Sequence, residues 1–266
     1  PAILEANNTV VEVIENEEDF TTDRLVAMDI LHQPERVIIE YNGMWLVSNF
    51  EKMQLPKGWG VEQQITCVDG STFQMYMANM KSIFMDMIKN TDMVIFNRCK
   101  KEDPLPTYRR GIKVANQRAE VIFEDEEGEL GDIFQDEMPF DMNAPVIEIL
   151  PEDYGIWFVD AMDHPENYEG KTVKFKARVM KPRGMGSKFF VPGRTAMTCC
   201  ADDTTFLGYV CKSAYAPKLT AGQWVEVTAK VGIEKRNEYQ GEEGIVLDAE
   251  YVEPCEPLAD EMVYFN

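Results

Sequence analysis

The stretch Thr66-Cys67-Val68-Asp69-Gly70-Ser71-Thr72-Phe73 lies without a gap over Cys199-Cys200-Ala201-Asp202-Asp203-Thr204-Thr205-Phe206. Cys67/Cys200, Asp69/Asp202, Thr72/Thr205, Phe73/Phe206 and, three residues on, Tyr76/Tyr209 coincide. At the same offset Gly111-Ile112 meets Gly244-Ile245. With small shifts, Met93-Val94-Ile95 meets Trp224-Val225-Glu226 and Pro34-Glu35 meets Pro165-Glu166. Agreement over this length reads as an internal duplication, one fold used twice.

Outward from the second copy, residues 172–179 alternate so that Val173, Phe175, Ala177 and Val179 share one strand face. A Gly/Pro-rich turn at 181–186 follows, then apolar strands around 189–200 and 206–211. Residues 223–231 set Val225, Val227, Ala229 and Val231 against Trp224, Glu226, Thr228 and Lys230. A turn at 238–244 leads into a last strand at 245–252. Five short strands fit an OB-like Greek-key barrel better than a sandwich of about seven. The first copy is expected to follow suit, with strands at 37–41, 44–47, 61–67, 73–77, 93–98 and 112–123 and a helical insertion at 79–89 carrying Met80, Phe84, Met87 and Ile88. Each copy opens on an amphipathic segment, with Leu25, Met28 and Leu31 on one face of the first and Ile156, Val159 and Met162 on the second. Each segment ends near a Pro.

The expected fold is therefore mainly β with short helices: two tandem OB-like five-stranded barrels from an internal duplication. Residues 1–123 form the first barrel with its N-terminal helix, and 144–266 the second. The segment 124–143 between them holds nine acidic residues and reads as a solvated linker.

The net charge is −21, from 47 acidic and 26 basic residues. That field repels phosphate backbones and argues against a nucleic-acid partner. No stretch reaches the roughly 20 apolar residues of a membrane span. Six cysteines in 266 residues make no dense disulfide framework, and Cys99 and Cys211, in apolar surroundings, read as small buried hydrophobes.

Chemistry concentrates around Cys199-Cys200. Vicinal cysteines offer two soft thiolates to a thiophilic ion, Zn or Cu. In a regular strand, however, neighbouring side chains point to opposite faces, so simple packing is the competing reading. Asp69 and Asp202 read as turn formers. Asp203, absent from the first copy and near Arg194, is the better candidate for ligand recognition. His32 and His164 each stand just before a Pro-Glu pair or close to one, where a cation suits a helix C-terminus without any metal. The Met75–Met87 cluster reads as core filling. No nucleophile–base–orienter set and no phosphate-cradling Gly loop is present, so an enzyme is not expected.

The second copy resembles the C-terminal domain of the DUF1980, or YcgQ-like, family of permease subunits. The resemblance is carried by Pro165-Glu166-Asn167-Tyr168-Glu169-Gly170-Lys171, by Gly193-Arg194-Thr195-Ala196-Met197-Thr198-Cys199-Cys200-Ala201-Asp202-Asp203, and by Gly222-Gln223-Trp224-Val225-Glu226-Val227. The family's Arg falls on Arg194, its cysteines on Cys199 and Cys200, and its Asp on Asp203. The resemblance implies an extracytoplasmic domain, membrane-anchored in the precursor and partnering a multi-helix permease, with a link to metal or small-solute transport. The expected function is a non-catalytic accessory protein of that permease. The alternatives are an OB module binding peptide or oligosaccharide with no metal role and, last, a thiol–disulfide enzyme, which would need a basic environment that only Arg194 offers near the pair.

Overall fold

A computed structural model describes residues 9–131, 138–198 and 204–264. The C-terminal half is a closed five-stranded barrel. Strand β5 (Thr172–Met180) pairs antiparallel with β6 (Phe189–Met197) and with β9 (Trp224–Lys235). Strand β9 pairs with β10 (Glu243–Pro254), β10 runs parallel to β8 (Val210–Lys212), and β8 returns to β6. With β7 (Thr204–Gly208) leading into β8 as one interrupted third strand, the order is that of an OB-like barrel. The expected alternation is realised: Val173, Phe175, Ala177 and Val179, with Val225, Val227, Ala229 and Val231, all point inward and are at most 2% exposed. On the outer face of the same strands Lys174 pairs with Glu226 at 3.0 Å. A register shift at Ala249/Tyr251 bends β10 around the barrel.

A short parallel strand, β4 (Ile147–Glu148), extends the sheet beside β5, and β11 (Met262–Val263) pairs in parallel with β6. The barrel is plugged by the helix Tyr154–Asp163. Its buried residues are Tyr154, Gly155, Trp157, Phe158, Val159 and Ala161; of the expected Ile156/Val159/Met162 face, Val159 is buried and Met162 packs half-buried against the core. The helix is covered from two sides, so a single-stripe reading found only part of its buried surface.

The N-terminal half departs from the first barrel expected over residues 1–123. Its sheet is three-stranded and parallel, in the order Ile65–Asp69 (β1), Met93–Asn97 (β2), Glu120–Phe123 (β3). Helices Phe73–Ile88 and Leu105–Ala115 make the crossovers. The segment 73–77, expected as a strand, is the first turn of a helix whose Phe73, Phe84 and Ile88 reach the core. Residues 112–115, expected to open a strand, end a helix that buries Leu105, Tyr108 and Ile112, a helical spacing. Residues 37–41 form no strand, and Val47–Glu51 is a short helix. The aligned pairs Phe73/Phe206 and Ile112/Ile245 thus fall in helix on one side and strand on the other. The two halves do not share an architecture, and these two aligned pairs do not perform matching structural roles.

The halves meet where the helix 105–115 packs against the plug helix. Asp163, with its side chain 8% exposed, accepts from Arg109 Nη1 and lies 3.5 Å from Lys113 Nζ. Val114 belongs to the barrel's core, as do Phe140 and Met142 by their packing, so the end of the acidic segment lies against the barrel. No helix among the described residues is long and apolar enough to cross a membrane.

Candidate functional site

Arg194 sits on β6 and is 2% exposed. Its guanidinium donates to three backbone carbonyls: Nη1 to Pro151, and Nη2 to Asp260 at 3.1 Å and to Met262 at 2.9 Å. Its carbon lies 5.5 Å from the centroid of the Tyr154 ring, whose phenol donates to Leu207 O. Burial lowers the Arg194 pKa, and the nearby Tyr154, Asp260 and Glu152 oppose that shift. Burial also holds the Tyr154 and Tyr209 phenols well above their usual range. The residue expected to contact a ligand therefore has its donors aimed inward, clamping the turn at 151 and the C-terminal strand to β6.

Cys199, Cys200 and Asp203 lie outside the described residues. Their flanks are fixed: Met197 pairs with Thr204, and Thr195 and Ala196 are held on the other side by Met262 and Val263. The same hairpin is unusually close at its base. Gly193 and Gly208 face each other, and a Cβ on Gly193 would come within 2.3 Å of Leu207 O, one on Gly208 within 2.6 Å of Pro192 O. Glycine is required there by the approach of two backbones. Among the described residues no group of three or more His, Cys, Asp or Glu side chains converges on one point.

The other candidates take local roles. Asp69 accepts from Ser71 N at 3.0 Å and Ser71 Oγ at 2.6 Å, and Arg98 Nη1 approaches at 2.7 Å. The Ser71 hydroxyl, more than Arg98, keeps its carboxyl below the usual range; it is a turn former, as read from sequence. His32 ends its helix 3.0 Å from Glu12 Oε1, and His164 caps the plug helix 3.7 Å from Glu166. Cys99 and Cys211 are buried, and desolvation pushes the Cys99 thiol up to about 11 and Cys211 higher still. Met85 is buried in the helical core, while Met75 is exposed.

Two features escaped sequence reasoning. One is the Arg109–Asp163–Lys113 cluster at the junction, where burial lowers the Lys113 pKa against the opposing pull of Asp163. The i,i+4 spacing of Arg109 and Lys113 was its only signal. The other is the second face of the parallel sheet. The two helices cover the face of Thr66, Val68, Val94, Phe96 and Phe123. On the opposite face Ile65 pairs with Met93, and Cys67 with Ile95, which pairs in turn with Ile122. None of these five belongs to a buried core, Ile65 is 47% exposed, and Cys67 is exposed.

A family model described as the DUF1980 C-terminal domain matches residues 129–265. No curated protein matches the chain. Among solved structures, the mitochondrial single-stranded DNA binding protein from S. cerevisiae is 10% identical, covering 33% of this chain and 97% of that one with a TM-score of 0.21. The aspartyl tRNA synthetase from Entamoeba histolytica is 16% identical over 44% of this chain and 27% of that one, with a TM-score of 0.24. Likeness at this level says nothing about what the present chain binds.

Proposed function

The chain belongs to the DUF1980 family, and we propose that it is a non-catalytic extracytoplasmic accessory protein that docks on a membrane permease, as the family resemblance implies. The observation that supports docking is the open face of the parallel sheet. Parallel sheets are ordinarily covered on both faces. Here Ile65 and Cys67 are exposed and Met93, Ile95 and Ile122 half-buried, an apolar row outside the core, bounded by Glu120 at one end and at the other by Glu124 and by Asp69, which Arg98 already pairs. An apolar centre with an acidic rim suits a partner segment that is apolar and flanked by basic residues.

The experiment is co-purification, in mild detergent, of the full-length protein with a co-expressed permease encoded beside it. Ile95→Asp with Ile122→Asp should abolish retention while leaving the melting temperature of the barrel unchanged. No retention of the wild type, or equal retention of the variant, would sink the docking proposal.

The proposal also keeps Cys199, Cys200 and Asp203, on the connection between β6 and β7, as a recognition or metal-sensing element for Zn(II) or Cu(I). Arg194 would act there through the strands it clamps. Titration with either ion should raise thermal stability by mass action, and Cys200→Ser should remove the shift. Absence of any shift with both ions removes the metal part alone.

A further inference from the structure

The chain is acidic as a whole, yet one cleft on the barrel gathers three cations, Arg183, Lys235 and Arg236. The loop joining β5 to β6 reads Lys181-Pro182-Arg183-Gly184-Met185-Gly186-Ser187-Lys188, with no carboxylate in it. It faces the turn between β9 and β10, and the two enclose a cleft of about 580 Å³ lined by Arg183, Met185, Lys235, Arg236, Asn237 and Glu238 among others. That volume falls within the roughly 300–1,000 Å³ of small-ligand sites.

The cations differ in how they are held. Arg236 lies 4.4 Å from the centroid of the Phe189 ring and is fixed by Glu238 at 3.0 Å and Glu234 at 3.5 Å. Its Nε and Nη2 already donate to the two oxygens of the Glu238 carboxylate, so Arg236 shapes the wall of the cleft while its fork is taken. Arg183 and Lys235 are exposed and enter no ion pair among the described residues. With Arg236 already paired to Glu234 and Glu238, it is Arg183 and Lys235 that leave the cleft with positive charge an anion would offset.

The overall charge of −21 does not forbid this. Exposed charges beyond a Debye length of about 8 Å are largely screened at physiological salt. A compact anion in the cleft meets the near cations first, whereas a long polyanion must also lie across acidic surface. We propose that the cleft between the β5–β6 and β9–β10 loops binds a compact ligand bearing several phosphate or carboxylate groups.

The test is calorimetric titration of the full chain with tripolyphosphate and, separately, with trigalacturonate. Binding of either supports the site and identifies the group it takes. Arg183→Glu with Lys235→Glu should weaken that binding roughly tenfold or more, the equivalent of one charged hydrogen bond, with no change in melting temperature. Lys52→Glu with Lys57→Glu alters net charge equally but lies in the other half, and should leave affinity unchanged. The proposal is overturned if neither probe binds, or if both double variants lose affinity alike. It is also overturned if a long oligothymidylate binds more tightly than tripolyphosphate, which would mark a nucleic-acid surface instead.

Discussion

Strands β5 and β9 bury their apolar faces inside a closed barrel and turn Lys174 and Glu226 outward. Strands β1, β2 and β3 bury one face under two helices and leave Ile65, Cys67, Ile95 and Ile122 on the other without a core. The barrel is complete in itself, since closure satisfies the strand edges and alternation makes its outside polar. The parallel sheet is half of a sandwich and exposes apolar surface that a self-contained fold would cover. The difference is what the proposals above build on: ligand recognition by loops on the barrel, and docking by a face of the sheet.

The sharpest way to test whether the halves are separate units is to damage one core at a time. Trp157, 1% exposed, plugs the barrel, and Phe96, 0% exposed, centres the aromatic cluster of the sheet half. Trp157→Ala and Phe96→Ala should each cost about 3–5 kcal/mol, read by calorimetry. Separate units predict that each variant lowers a different transition. One common transition shifted by both would join the halves into a single cooperative block.

Asp163→Ala tests the seam between them. Removing the carboxylate shared by Arg109 and Lys113 should cost roughly 3 kcal/mol, the scale of a broken buried pair. It should also widen any gap between two transitions. A loss well under 1 kcal/mol would show the seam to be held by Val114 and its apolar neighbours alone.

Glycine substitutions should separate the halves by sign. Gly208→Ala forces a Cβ to 2.6 Å from Pro192 O and should destabilise by about 1–3 kcal/mol. Gly111, in a helix with nothing within 4 Å of its added Cβ, should gain up to about 1 kcal/mol on replacement by Ala. Chemical denaturation of the two variants checks both signs.

The smallest effect near neutral pH concerns the thiols. Cys99 is raised from 9.0 to about 11 by burial, so the folded state holds a proton that the unfolded state releases. That contribution is fully present below about pH 9 and is lost as pH rises toward 11. Stability should therefore fall across that window, and Cys99→Ala should flatten the slope relative to wild type. In the native state Cys67 should label rapidly and Cys99 slowly, since Cys67 is exposed and Cys99 buried.

The barrel half was legible because period-two alternation over residues 172–179 and 223–231 admits one reading only. The sheet half was misread for two reasons. Residues 73–77 span too few positions to separate a helix turn from a strand. The helical stripe Leu105, Tyr108, Ile112 is present in the sequence, but the register of Gly111-Ile112 with Gly244-Ile245 draws residue 112 into a strand reading instead. Tertiary roles were less visible still. The partners of Arg194 are backbone carbonyls at 151, 260 and 262, which leave no side-chain signature. The basic loop 181–188 was seen only as a turn, because its opposing wall comes from a hairpin some fifty residues later.

The clamp made by Arg194 also imposes an order on biosynthesis. Its guanidinium reaches the carbonyl of Met262, 68 positions downstream, whereas the parallel sheet draws only on residues between 65 and 123. During vectorial emergence the sheet half has all its partners early, whereas the edge of β6 at Thr195 and Ala196 stays without its parallel partner until the strand at 262–263 arrives. Until that moment the nascent protein presents an unfinished edge on an otherwise closed barrel.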